Sequence, residues 1–320
     1  MTFSIIVPAR DEERNIAPLT KAIRAVMDTL GPWELLFIDD GSTDGTFSAM
    51  EREHAADARV KIIRFRRNFG QTAAWAAGFS HVAGDIVVCL DADLQNDPRD
   101  IPGLVRTLLA DGYDVVSGWR QTRADGLGKR IISTIGNLLR RFVTKERIHD
   151  SGCSLKVYHR ECLKDLELYG EMHRYITSLL TWKGYRVGEQ AVAHHARRSG
   201  RTKYTLRRTV KGFLDLLIVK FWMQYSARPI HLFGSIGVVL AGTGLLLGAL
   251  LGSLWLLRII SLQGRSSPLL AVLLVIIGVQ FVMTGILADI VAKNYYVTKK
   301  AYTIAERKGF TAVDSPRSGA

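Results

Sequence analysis

The chain of 320 residues predicts an α/β domain, built on a mostly parallel sheet with helices on both faces, followed by a C-terminal pair of membrane-spanning helices. Three observations carry this prediction. Short apolar runs rich in β-branched residues alternate with helical patterns through residues 1–125, as in a sheet wound through crossover helices. Acidic residues follow directly on several of those runs, at the strand ends where such sheets bind ligands. Two long apolar stretches lie near the C-terminus, each exceeding the ~20 residues needed to cross a bilayer.

Taken in order, FSIIVPA (3–9) reads as a buried strand and NIAPLTKAIRAVMDTL (15–30) as an amphipathic helix. WELLFI (33–38) is a second strand, followed by the loop DDGSTDGT and the helix TFSAMEREHA (46–55). VKIIRF (60–65) is a strand, QTAAWAAGFSHVA (71–83) a helix, and DIVVCL (85–90) a strand. DIPGLVRTLLADG (100–112) is a helix and YDVVSGWR (113–120) a fifth strand. The strands are recognised by short apolar runs bounded by polar punctuation. Segments 131–143 and 206–225 mix apolar residues with Arg and Lys at near-helical spacing, which predicts helices lying in the headgroup layer; packing against the protein's own core is the competing reading, above all for 131–143. No Asp, Glu, Lys or Arg occurs from His231 to Leu257, and Asp289 is the one such residue from Pro268 to Ala292. The predicted domains are therefore 1–205, the α/β domain; 206–229, an interfacial region; 230–292, two spans at about 231–257 and 268–292; and 293–320, a basic tail.

Basic residues flank the spans on their outer sides, at Arg207, Arg208, Lys211, Lys220 and Arg228 and again at Lys293, Lys299, Lys300, Arg307 and Lys308. The connecting loop holds Arg258 and Arg265. The positive-inside rule then places both termini and the large domain in the cytoplasm, with the protein in the plasma (inner) membrane. The N-terminal apolar run is too short for a signal peptide. The net charge of +13 clusters beside the spans without a nucleic-acid-binding motif, which points to anionic lipid and away from nucleic acid. Cys89, Cys153 and Cys162 make neither a disulfide framework nor a zinc spacing.

Three strand ends converge on one sheet edge. The first leaves Pro8, Arg10 and Glu12, the second Asp39, Asp40, Gly41 and Ser42, and the strand at 85–90 leaves Asp91 and Asp93, with Gln95 behind them. Two carboxylates held together there repel unless a cation or proton lies between them. Carboxylates with a side-chain carbonyl suit Mg²⁺ or Mn²⁺, which keep positions open for water and nucleotide phosphates. An acidic surface turn is the competing reading of a lone D-x-D. For DDGSTDGT, a helix cap and a ligand contact can both hold. His149, His194 and His195 read as loop histidines.

The motifs IIVPARDEERNI, LLFIDDGSTDGT, RNFGQTAAWAAGF, GDIVVCLDADLQNDP, VVSGWR, DSGCSLKVYHRE and RRSGRTKY, in that order over residues 3–210, resemble the inverting family 2 glycosyltransferases with the GT-A fold. More narrowly, they resemble the polyprenyl-phosphate glycosyltransferases related to dolichyl-phosphate mannose synthase, whose bacterial members carry a similar two-span hairpin. The resemblance implies transfer of one sugar from a nucleotide-diphosphate sugar, UDP or GDP, to an undecaprenyl-type phosphate. It implies that Pro8, Glu12, Asp39 and Asp40 hold the nucleoside, together with Arg10, where the family often has Tyr-Asn before the Glu. It further implies that Asp91, Asp93 and Gln95 hold the metal on the diphosphate, with Asp91 also binding the nucleotide sugar and Asp93 also catalytic. Arg120 and Arg130 would receive the lipid phosphate, Arg198, Lys203 and Tyr204 would close over the diphosphate as a basic loop, and Asp150 corresponds to the family's candidate catalytic Asp. A lipid monophosphate is largely a dianion at neutral pH and hardly needs a general base, so Asp150 alternatively orients the acceptor or its arginines. A processive polysaccharide synthase is disfavoured by two spans and the lack of Q-x-x-R-W. A non-catalytic membrane scaffold is disfavoured by the intact D-A-D-x-Q. Self-association through the spans is a further expectation.

Overall fold

The computed structural model describes residues 1–121, 148–164, 166, 168, 170, 172–195, 220, 221, 224, 225 and 228–298. Two compact units divide the chain, Met1–Val219 and Lys220–Ala320. In the first, β1 (Phe3–Ala9), β2 (Trp33–Asp39), β3 (Val60–Arg64), β4 (Ile86–Cys89), β5 (Val115–Trp119), β6 (Lys156–His159) and β7 (Val187–Ala191) form one sheet in the order β3-β2-β1-β4-β6-β5-β7. The helices are α1 (Glu13–Met27), α2 (Thr46–Ala56), α3 (Gln71–His81), α4 (Ile101–Ala110) and α5 (Ile176–Trp182).

Every residue of β1 is buried, which suits a central strand covered on both faces. The two-residue period of the strands sorts neighbours to opposite sides. Ile5, Val7, Leu35, Phe37 and Val88 join Ile16, Leu19 and Ile23 of α1 and Leu104 and Leu108 of α4 in one core. Ile6, Leu36, Ile38 and Val87 join Trp75 of α3 and Ile176 and Leu180 of α5 in the other.

The sheet departs from the sequence expectation in its second half. β6 was not expected, and it lies antiparallel between β4 and β5, so the fifth strand is not the neighbour of the fourth. β7 then pairs parallel with β5. Both strands are short and carry little apolar signal: β6 is KVYH and β7 is VGEQA. The reversal has a functional consequence. Because β6 runs backwards, the turn that precedes it opens onto the edge where β1, β2, β4, β5 and β7 end.

The second unit contains α6 (Ile230–Leu256) and α7 (Ser267–Thr298). Their membrane-length stretches, Ile230–Leu256 and Ser267–Asn294, are each 17% buried. Core helices of this length would cover their apolar residues, whereas these leave most of them uncovered and are long enough to span a membrane. α7 continues past the expected end at 292, since Lys293 and Asn294 extend the helix without remaining apolar. The helices meet backbone to backbone, for a Cβ at Gly278 would fall 2.5 Å from Ala241 N and 2.6 Å from Gly237 O. Segment 131–143, the tail from 299, and all but four residues of 206–225 lie outside the described residues.

Gly278→Val should therefore force the hairpin apart and lower its thermal midpoint in detergent. Gly242→Val is the control, because a Cβ there meets nothing within 4 Å. Equal melting of the two variants would contradict the close approach.

Candidate active site

The loops after β1 and β2 are laced together. Asp11, in the left-handed region at φ 57°, accepts from Thr43 N at 2.8 Å and donates its own N–H to Ser42 Oγ at 3.1 Å. Glu12 N donates to Thr46 Oγ1 at 2.8 Å, and Asp40 N donates to Ala9 O. Arg10 is exposed beside them, and Pro8 is buried as the penultimate residue of β1. Asp39, fully buried, accepts from Ser42 N through Oδ1. Its Oδ2 makes no hydrogen bond, with Arg64 Nε 3.4 Å away. A buried carboxylate oxygen without a donor is costly, and here it lies beside a basic cleft.

Asp40 behaves differently from its neighbour. Its carboxylate accepts from Phe69 N at 2.7 Å, Gly70 N at 3.0 Å and Asn68 Nδ2 at 2.6 Å, so it ties the loop before α3 to the end of β2. Gly41 allows this loop to close: its φ is +66°, and a Cβ would fall 2.5 Å from the Arg67 carbonyl carbon. Around this junction a cavity of about 650 Å³ is lined by Arg10, Ser42, Thr43, Arg64, Arg66 and Arg67, among others. The three arginines, Arg64 ending β3 and Arg66 and Arg67 just past it, were not singled out in the sequence. Their signal was a basic run, RFRRN, placed at the end of a strand.

Asp91 and Asp93 follow β4. Gln71 Nε2 at the start of α3 donates to Asp91 Oδ1 at 2.8 Å. Burial and the charge of Asp93 push the Asp91 carboxyl up to about 6, against the opposing pull of Ser154, Lys156 and Arg120. Leu94 takes a positive φ of 59°, and Gln95 N donates to Asp93 Oδ1 at 3.2 Å. Among the described residues, no group of three or more His, Cys, Asp or Glu gathers as a ready-made metal cage. That is compatible with Mg²⁺ or Mn²⁺, which bind through one or two carboxylates when phosphates and water fill the other positions. A pair that repels until a cation or proton arrives fits such an ion. Two of the loop histidines are engaged elsewhere: His149 Nδ1 lies 2.8 Å from Glu189, and His195 Nε2 lies 3.3 Å from Asp97.

The third part of the site is an ion pair between the buried Asp150 and a partly buried arginine. Arg120, just past β5, donates from Nε and Nη2 to Asp150 Oδ2 and Oδ1 at 2.7 and 3.0 Å, a two-pronged geometry that a guanidinium provides and an ammonium does not. Burial favours loss of the Arg120 proton, but the Asp150 hydrogen bonds outweigh it and hold the guanidinium above its ordinary range. Beneath the turn, the buried Lys156 ammonium donates to Ser151 O at 3.0 Å and to Cys153 O, and burial pushes its pKa down. Asn96 Nδ2 donates to Ser154 Oγ at 2.7 Å, which fastens the loop after Asp93 to the turn carrying Asp150. The chain past β7 joins the same junction, with a bridge between Asn96 and His194 and a bond from His195 N to Gln95 O at 2.8 Å. Arg130, Arg198, Lys203 and Tyr204 lie outside the described residues.

An open α/β sheet with paired acids on its carboxyl edge, an adjoining cationic cavity and an arginine–acid pair is the arrangement of a GT-A type glycosyltransferase domain. The chain belongs to glycosyl transferase family 2, whose sequence profile matches residues 4–167. Over 301 residues it is 40% identical to the dodecaprenyl-phosphate galacturonate synthase of Rhizobium johnstonii, covering 92% of this chain and 89% of that one. It is 34% identical over 301 residues to the undecaprenyl-phosphate 4-deoxy-4-formamido-L-arabinose transferase of Salmonella dublin, covering 91% and 88%. Among solved structures, glucosyl-3-phosphoglycerate synthase from Mycobacterium tuberculosis, in complex with Mn²⁺ and uridine-diphosphate-glucose, matches with a TM-score of 0.55 and 21% identity. The match covers 68% of this chain and 78% of that one, and it is a likeness of fold.

Asp40→Asn should destabilise the large domain. It puts an amide donor against backbone N–H groups that now share a carboxylate, and unsatisfied buried donors cost about 1–3 kcal/mol each. A fall of about 2–4 kcal/mol on chemical denaturation is expected, and an unchanged transition would show that the loop does not depend on Asp40.

Proposed function

We propose that this protein transfers a single sugar from a nucleotide-diphosphate sugar to a polyprenyl phosphate, with inversion, at the cytosolic face of the membrane. The observation that carries this reading is the proximity of two charged centres of opposite preference. The Asp91–Asp93 pair is suited to a metal-bound diphosphate, the Arg120–Asp150 pair to a phosphate monoester, and Asn96–Ser154 links them. The two relatives' names, each with a polyprenyl phosphate, support the same acceptor class. The flanking basic residues support an orientation with both termini in the cytoplasm.

In this reading the nucleoside occupies the cavity between the ends of β1, β2 and β3. Asp39 offers an unbonded acceptor next to the Arg64 guanidinium, which matches the imide edge of uracil, an N–H between two carbonyls. Guanine offers the same pair at N1–H and O6, so this contact suits a UDP-sugar and a GDP-sugar alike. Asp91, Asp93 and Gln95 would hold Mg²⁺ or Mn²⁺, whose chemistry is to neutralise charge on the departing diphosphate. Arg10, Glu12 and Pro8 border the nucleoside, and Arg198 and Lys203 belong with the diphosphate.

The acceptor phosphate brings its own nucleophile. Its second pKa is about 6, so an oxygen of the dianion attacks the anomeric carbon without surrendering a proton. The new carbon–oxygen bond forms as the bond to the nucleotide diphosphate breaks from the opposite face. Arg120 holds the phosphate in line, and Arg130 is assigned the same phosphate from its sequence position alone. Asp150 spends both oxygens on Arg120, so its work is to orient that guanidinium, and catalysis here is positioning and charge stabilisation. Galacturonate and 4-deoxy-4-formamido-L-arabinose, the sugars in the relatives' names, are the first donors to try.

Two outcomes test this. Excess EDTA should abolish transfer, with Mn²⁺ or Mg²⁺ restoring it and Asp93→Asn folded but inactive. Undiminished turnover in chelator would remove the metal. Arg120→Ala should raise the apparent KM for polyprenyl phosphate or lower turnover by roughly 10- to 150-fold, the equivalent of ~1.5–3 kcal/mol for one charged contact. UDP-sugar affinity should hardly change. Loss of donor binding with the acceptor spared would move the acceptor site elsewhere.

A further inference from the structure

We propose that Glu189, on β7, is the positioning residue that sets the Arg120–Asp150 pair for the acceptor phosphate. The proposal rests on the reading of Arg120 given above.

The turn that carries Asp150 precedes β6 and lies outside regular structure. Its backbone groups need partners from elsewhere, since buried N–H groups left without acceptors are destabilising. Glu189 supplies them. Its Oε1 accepts from His149 N at 2.7 Å and from Asp150 N at 2.9 Å, while Oε2 lies 2.8 Å from His149 Nδ1. From below, Lys156 donates to the carbonyls of Ser151 and Cys153. A carboxylate thus collects the N–H groups of the turn and an ammonium collects its carbonyls.

Glu189 reaches Arg120 by two routes. The first runs through Asp150, whose backbone it holds and whose side chain grips the guanidinium. The second runs through His149, whose ring stacks on Trp119 with centroids 4.5 Å apart and planes 19° from parallel. Trp119 is the residue before Arg120 and the last of β5, and β5 is paired with β7 so that Ser117 faces Glu189 and Trp119 faces Ala191. One carboxylate, 13% exposed, therefore braces both the side chain that receives Arg120 and the backbone that presents it. A glutamate also sits close to Asp150, a like charge. It is tolerated because Arg120 and Lys156 supply two positive charges to the same cluster, and because its oxygens are taken by N–H donors. Plain structural support would have been supplied as well by a neutral acceptor; a carboxylate adds the capacity for two backbone donors and a ring donor together.

The test uses the full-length protein in detergent and two probes that do not depend on the identity of the sugar. UDP with Mn²⁺ reports the donor side and farnesyl phosphate the acceptor side, each titrated calorimetrically. Glu189→Ala should weaken farnesyl phosphate about 10-fold, the size of one charge-assisted contact, with UDP binding within about 2-fold of wild type. Glu189→Gln keeps one carbonyl oxygen for the two backbone N–H groups and should fall between them. Because the effect passes through Arg120, adding Glu189→Ala to Arg120→Ala should weaken farnesyl phosphate little further, the non-additivity expected of linked residues. Should Glu189→Ala not fold, Glu189→Gln decides: a loss confined to farnesyl phosphate supports the proposal, and wild-type affinity overturns it. Equal loss of both probes, or full additivity with Arg120→Ala, would make Glu189 a merely structural residue. If Glu189→Ala binds farnesyl phosphate normally while Arg120→Ala does not, the proposal fails alone. If Arg120→Ala also binds it normally, the reading of Arg120 as the acceptor-phosphate residue fails.

Discussion

At the carboxyl edge of the sheet, Asp91 and Asp93 stand two residues apart, and burial with their mutual repulsion pushes Asp91 up to about 6. The neighbourhood is arranged around that unresolved charge. Gln71 donates to Asp91, and Lys156 and Arg120 act on it from across the sheet. The same two cations are shared with Asp150. Acids and bases alternate through the cluster, so the approach of a diphosphate on one side and a phosphate monoester on the other alters a balance that both sides feel. Preorganised charge of this kind is what a displacement between two anions requires, since both reactants would otherwise repel.

Topology makes the cluster possible. Parallel strands deliver Asp39, Asp91 and Arg120 to one edge, but a purely parallel sheet would leave the chain after β5 to return from the far side. The antiparallel insertion of β6 brings the turn with Asp150 to that edge instead, within reach of both Arg120 and the loop after Asp93. The bonds of Asn96 to Ser154 and the bridge to His194 then join three segments distant in sequence. In the proposed reaction, a junction fixed in this way would hold donor and acceptor in register.

Much of this was legible from residues. Five strands with strong apolar runs were readable, as were the acids that end several of them, because periodicity and punctuation are local properties. The two remaining strands were not. KVYH begins with a lysine that the structure buries, and VGEQA has one β-branched residue; each is a strand because its neighbours make it one. The different duties of Asp39 and Asp40 were hidden for the same reason. Adjacent in sequence, they point to different partners, one toward the cavity and one into the loop at Asn68–Gly70. Glu189 carried no motif signal at all, since its importance lies in backbone groups 39 and 40 residues away in sequence. The apolar helices were plain, because bilayer length and the absence of charge are read directly from composition.

The central claim is a single inverting displacement in which a lipid phosphate, held by Arg120, replaces a nucleotide diphosphate on one sugar. The direct measurement is the structure of the lipid product, by mass spectrometry for stoichiometry and by NMR for the anomeric bond, from purified protein, undecaprenyl phosphate and UDP-galacturonic acid or another accepted donor. The account predicts one sugar and one phosphorus per lipid, with anomeric configuration opposite to that of the donor and release of the nucleoside diphosphate. A lipid diphosphate-linked sugar, a retained configuration or a ladder of polymer lengths would contradict it.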